Sequence, residues 1–99
     1  MYSKALANAV GPSGVRVMTV MPGFVETDSS GPVLRDMADR MGITVDALRA
    51  DLHERFSGAL GRPGRGDEAA EVIAFVASSR ASYLTGSQIA LDGGIHPTL

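Results

Sequence analysis

The chain has 99 residues, no cysteine and a formal net charge of -2, with 44% hydrophobic and 20% charged residues, the balance of one globular domain or part of one rather than of a disordered chain. The mild acidity leaves no electrostatic footprint for nucleic acid or an anionic membrane, no apolar run approaches the roughly 18 residues of a membrane helix, and "MYSKALANAV" is too polar and short for a secretory signal. Without thiols there are no disulfides, thiolate metal sites or cysteine nucleophiles, which points to a cytoplasmic setting, and His53 and His96 are too far apart to form a metal-ligand cluster.

Residues 3–10, "SKALANAV", favour a helix that Gly11 and Pro12 stop. The run "VRVMTVM" (15–21) is polar only at Arg16 and Thr19, and predicts a strand covered on both faces, as in a parallel sheet. It ends in Pro22-Gly23, followed by Phe24, Val25, Glu26, Thr27 and Asp28. From 31 to 56 the period becomes helical. Val33, Leu34, Met37 and Met41 form one stripe, Val45, Leu48, Leu52 and Phe56 another, with Gly42 between them and Thr44 placed to cap the second helix. "GALGRPGRG" (58–66) reads as a loop. Asp67 and Glu68 open the next helix, where negative charge suits the dipole, and Ala69, Val72, Ile73, Val76 and Ala77 give it a core-facing stripe. "SSRAS" ends that helix, and "SQIALDGG" (87–94) predicts a last short strand closing in a Gly-Gly turn. Two strands do not make an independently stable sheet, so the apolar run at 15–21 calls for further strands from another length of protein.

Taken in order, "SKALANAVGPSGVRVMTVMPGFVETD", "LGRPGRGDEAAEVIAFVAS" and "ASYLTGSQIALDGG" resemble the C-terminal half of a classical short-chain dehydrogenase/reductase, an NAD(P)-dependent oxidoreductase family. The resemblance covers nearly the whole chain. It implies an α/β fold: residues 1–99 as the C-terminal part of a doubly wound parallel-sheet (Rossmann-like) domain, two strands with about four helices, and 29–60 as a helical substrate-covering segment. It also implies that Pro22 and Gly23 turn the chain beneath a nicotinamide ring, while the Val25 backbone and the Thr27 hydroxyl bond its carboxamide or the nearby phosphate. A glycine lets the backbone come close, and a hydroxyl both donates and accepts. On the residues alone, Pro-Gly ends a strand and Thr27 caps the next helix. Met37, Met41, Leu48 and Leu52 either line an apolar substrate pocket or form core.

The family's glycine-rich phosphate turn, its catalytic serine and its tyrosine-lysine pair at a spacing of four have no counterpart in this sequence. Tyr2 and Lys4 are only two apart, and "YSKALAN" better matches the stretch just after the catalytic pair. No catalytic residue is therefore assigned. NAD or NADP is expected in an intact enzyme and none bound by this chain alone, and Met18 and Met21 stand where family members often carry polar residues. The expected partners are the missing N-terminal half or a second chain, with homo-oligomerisation through the last strand, and neither nucleic acid nor membrane. Two alternatives accompany this reading. One is a non-catalytic oligomerisation or interaction module pairing through an exposed strand edge. The other is a helix-turn-helix DNA reader in "MADRMGITVDALRADL" (37–52), which the acidic Asp46, Asp51 and Glu54 on its second helix disfavour. The arginines of "GRPGRG" read as a solvated turn rather than an RNA-binding tract.

Overall fold

The computed structural model describes residues 2–96. Good helix formers such as Lys4, Ala5, Leu6 and Ala7 form α1 (Tyr2–Val10), which a 3-10 turn at Gly11–Ser13 and a left-handed Gly14 bring to a stop. The chain then enters β1 (Thr19–Pro22), which pairs in parallel with β4 (Gln88–Leu91) in the register Thr19 to Gln88 and Pro22 to Leu91. The expected strand over 15–21 is thus shorter at its start and one residue longer at its end. Its first residues lie against the 85–87 turn instead of a strand: Val17 N donates to Thr85 Oγ1 (3.0 Å) and Gly86 N donates to the Val17 carbonyl (2.7 Å).

A second parallel pair joins β2 (Val25–Glu26) to β3 (Gly64–Arg65). This two-residue pair adds to the expected β1–β4 strands and corrects the expectation of a plain loop at 58–66, a stretch that also holds a 3-10 turn at Gly58–Leu60. Between the two short strands lie α2 (Ser30–Met41) and α3 (Val45–Phe56), and α4 (Gly66–Ala77) follows β3. The four expected helices are all present, in an α/β arrangement with a parallel β1–β4 pair.

The core is small. In the α2–α3 hairpin Leu34, Ala38 and Leu48 are buried together, with Val45 and Leu52 packed against them. Gly42 at φ +70° closes α2, and Thr44 Oγ1 accepts from Ala47 N (3.1 Å) to start α3. Elsewhere among the described residues Ala7, Val76 and Ala81 are the buried apolar residues. Two expectations need correcting here. No residue of β1 or β4 is buried, so the principal pair is not covered on both faces, and the α4 stripe is only partly sheltered, with Ile73 52% exposed. An open groove of about 450 Å³ runs past Met18, Val20, Ile73 and Val76 between β1 and α4. The molecule is elongated, 54 × 27 × 24 Å, with a radius of gyration of 16.9 Å. A compact domain of this length would have a radius of gyration of about 13 Å.

Candidate functional site

Pro22, Gly23, Val25 and Thr27 follow one another along the C-terminal end of β1 and through β2, where a parallel sheet presents its crevice. Pro22 ends β1 opposite Leu91, and Gly23 N donates to the Leu91 carbonyl (2.9 Å), extending the pairing by one bond. A Cβ on Gly23 would stand 2.8 Å from Asp92 Cβ and 2.9 Å from Asp92 Cα. The close approach that needs a glycine here is therefore to the turn after β4.

That turn is built by Asp92. Its carboxylate, nearly buried, accepts from Gly94 N (3.0 Å) and His96 N (3.3 Å), with Gly93 and Gly94 both at positive φ. Gly58, at φ +64°, packs against the same turn, and Leu60 N donates to the Gly93 carbonyl (3.0 Å). The chain end of β4 and the connector after α3 thus support the loop after β1 from behind.

Val25 pairs with Gly64, and Gly64 N donates to the Phe24 carbonyl (2.9 Å). In a parallel ladder this pattern turns Val25's own amide away from β3. The Thr27 hydroxyl is exposed, shares hydrogen bonds with the hydroxyls of Ser29 (2.9 Å) and Ser30 (3.4 Å), and its amide donates to Ser30 Oγ (3.0 Å). Thr27 therefore also organises the entry to α2, although Ser29 is the residue at the cap. For a nicotinamide group the residues present fit along one side: an outward amide at Val25 and an exposed hydroxyl at Thr27. Pro22 and Gly23 are accounted for by β-pairing and by the approach to Asp92.

Two clefts flank this loop. A narrow one of about 80 Å³ lies among Phe24, Val25, Arg62, Arg65, Glu68 and Asp92. Arg62 grips Glu68 with two bonds of 2.7 and 2.8 Å, and Arg65 N donates to Glu68 Oε1 (3.0 Å), closing the start of α4. The Arg62 hydrogen bonds, with the Arg65 amide, hold the Glu68 carboxyl down to about 2 and push Arg62 up from its ordinary value. A wider groove of about 360 Å³ is lined by Phe24, Ser29, Ser30, Val33, Met37 and Leu52. Of the four candidates for an apolar pocket, Met37 and Leu52 line this groove. Leu48 is core, 1% exposed, and Met41 is 56% exposed outside the groove.

A family model described as enoyl-(acyl carrier protein) reductase matches residues 1–96. The chain belongs to the short-chain dehydrogenase/reductase family. It is 37% identical over 93 residues to the short-chain reductase protein NovJ of Streptomyces niveus, covering 94% of this chain and 33% of that one. Against the 3-oxoacyl-[acyl-carrier-protein] reductase FabG of Salmonella typhimurium it is 36% identical over 95 residues, covering 96% of this chain and 34% of that one. Among solved structures, the L-sorbose reductase of Gluconobacter frateurii, complexed with NADPH and L-sorbose, superposes with a TM-score of 0.86 at 27% identity, over 100% of this chain and 37% of that one. The chain spans about a third of the length of these curated relatives. In this short-chain dehydrogenase/reductase chain the likeness to solved Rossmann-like structures accounts for the parallel β1–β4 pair with helices packed beside it.

Sequence reasoning missed a cluster on the α3 side of the loop. Glu26 Oε1 accepts from Arg49 Nε (3.2 Å) and lies 3.4 Å from His53 Nε2. His53 also meets the Phe24 ring edge-on, with centroids 6.0 Å apart. Arg49 and His53 sit four residues apart, so both lie on one face of α3, a spacing that could have flagged a shared partner. Arg16, read only as a polar residue in a strand, instead donates to the carbonyls of Val76 (2.8 Å) and Ser78 (3.0 Å) and so caps the C-terminal end of α4. The outer side of α3 bears Asp46, whose side chain is 99% exposed, and an Arg55–Asp51 pair, a poor face for DNA phosphates.

Proposed function

We propose that this chain is the C-terminal, nicotinamide-side portion of an NAD(P)-dependent short-chain oxidoreductase that moves hydride between cofactor and a carbonyl or alcohol carbon. The observation that carries the proposal is the family match over residues 1–96 combined with coverage of only about a third of each relative. The uncovered β1–β4 pair and the open groove beside α4 support it, because an apolar strand of this kind is stable when neighbours flank it. The bound NADPH in the L-sorbose reductase complex supports the choice of cofactor.

In this reading the Val25 amide and the Thr27 hydroxyl orient the carboxamide or the adjacent phosphate, and Pro22 and Gly23 set the loop on the Asp92 turn. Residues 29–60 cover the substrate. When bound, the nicotinamide supplies the hydride; the proton comes from a tyrosine beside a lysine in the remainder of the enzyme, and the phosphates rest on a glycine-rich turn there. The chain alone grips no dinucleotide. Its partners are that remaining length and further copies of the enzyme, meeting through the last strand, in the cytoplasm.

The intact mass of the native protein, with sequencing of any residues preceding Met1, tests the parentage. The proposal expects a polypeptide about three times this length, with tyrosine and lysine at a spacing of four shortly before Tyr2. A native protein of these 99 residues that reduces a ketone with NADPH would overturn it.

A further inference from the structure

The hairpin α2–α3 carries its own small core, so something other than that core must fix how it sits on the rest of the molecule. Among the described residues, the side-chain hydrogen bonds joining α3 to a distant element are the two accepted by Glu26, from Arg49 and His53. The cluster is half-sheltered, with side-chain exposures of 29% for Glu26, 37% for Arg49 and 38% for His53. Arg49 also reaches Asp46, but at 3.8 Å and toward solvent, the weaker of its two contacts. Pairs of this exposure stabilise little; two donors converging on one carboxylate do more to fix an orientation.

From this carboxylate a line of contacts leads to the apolar groove. His53 touches Glu26 on one side and the Phe24 ring on the other. Phe24 forms one wall of the groove, and Leu52, the residue before His53 on α3, forms another. We infer that Glu26 is a positioning residue for the cover: through Arg49 and His53 it sets the angle of α3 over the loop after β1, and with it the width of the groove between Phe24 and Leu52. The inference rests on reading residues 29–60 as the substrate cover. The groove is walled by Val33, Leu34, Met37, Leu52 and Phe24, with Ser29 and Ser30 as its polar edge, so the ligand class is an uncharged apolar alcohol or ketone.

The 99-residue chain has no cysteine, so two spin labels can be placed uniquely at the exposed Ala50 of α3 and Ala70 of α4. Pulsed electron resonance should give one narrow distance distribution, which broadens and lengthens in Glu26→Gln. The double variant Arg49→Ala, His53→Ala removes both donors from the other side and should give the same broadening, which keeps the test open if Glu26→Gln fails to fold. Asp51→Asn, which removes a carboxylate from α3 without touching Glu26, should leave the distances unchanged. Cyclohexanol should shift the Met37 methyl carbon saturably, and several-fold more weakly in Glu26→Gln. Distances that ignore both Glu26→Gln and the double variant overturn the positioning role. Distances that respond while Met37 stays silent to cyclohexanol in the parent overturn the substrate-cover reading, and with it the role in ligand fit.

Discussion

The α2–α3 hairpin and the β1–β4 pair solve the same problem to different extents. In the hairpin, residues close in sequence bury one another: Leu34 and Ala38 meet Leu48, Gly42 closes one helix, and Thr44 opens the next. In the β1–β4 pair, residues about seventy positions apart are hydrogen-bonded in register, yet none is buried, and Ile73 and Phe75 of α4 remain about half exposed. Local periodicity is enough to finish a helical hairpin. A parallel sheet needs neighbours that its own two strands cannot supply.

The largest test of that contrast is Leu48→Ala. Leu48 is 1% exposed at the centre of the hairpin, so its loss should cost about 2–5 kcal/mol, read by urea unfolding. A cost below that of an exposed α4 residue such as Ile73→Ala would mean that the hairpin core is not the better-built region. Next is the connector between the two regions. An alanine Cβ at Gly58 would lie 2.6 Å from the Gly93 carbonyl oxygen, at φ +64°, and should cost about 2–4 kcal/mol while loosening the Asp92 turn. Hydrogen exchange at Leu60 N would report the loosening directly, since that amide donates to Gly93. Thr44→Ala removes the cap of α3 and should cost about 1 kcal/mol, with the helical signal falling in step.

How much of this was legible follows from the same contrast. The helices, the Thr44 cap and the Gly42 stop could be read because their signals lie within a few residues of one another. The β2–β3 pair could not be read, because two residues show no alternation and Gly64 has no side chain to contribute to a pattern. The strand at 15–21 looked longer than β1 because apolarity marks what can pair, whereas its actual span depends on where β4 begins, at Gln88. At the site, Pro22-Gly23 was visible as a turn, but the reason for the glycine is Asp92, far along the chain. Glu26 with Arg49 and His53 stayed hidden for the same reason, at separations of 23 and 27 residues.

The smallest expected effect concerns acid. The Glu68 carboxyl is depressed to about 2 by its hydrogen bonds from Arg62 and the Arg65 amide. A depressed folded-state value means that its contribution is complete above the ordinary carboxyl range, near 4.5, and fades as pH falls toward about 2. Glu68→Gln should therefore flatten part of the stability loss between those values and leave the slope above pH 6 unchanged. Parallel stability profiles for the two chains would contradict the assignment.

The most direct measurement of the central claim is a calorimetric titration of the 99-residue chain with NADH and with NADPH. In the proposed function the loop at Pro22–Thr27 supplies one wall of a cofactor site, and the sequence contains no glycine-rich phosphate turn, so no saturable heat is expected in the micromolar range. A micromolar dissociation constant for either dinucleotide would contradict the account.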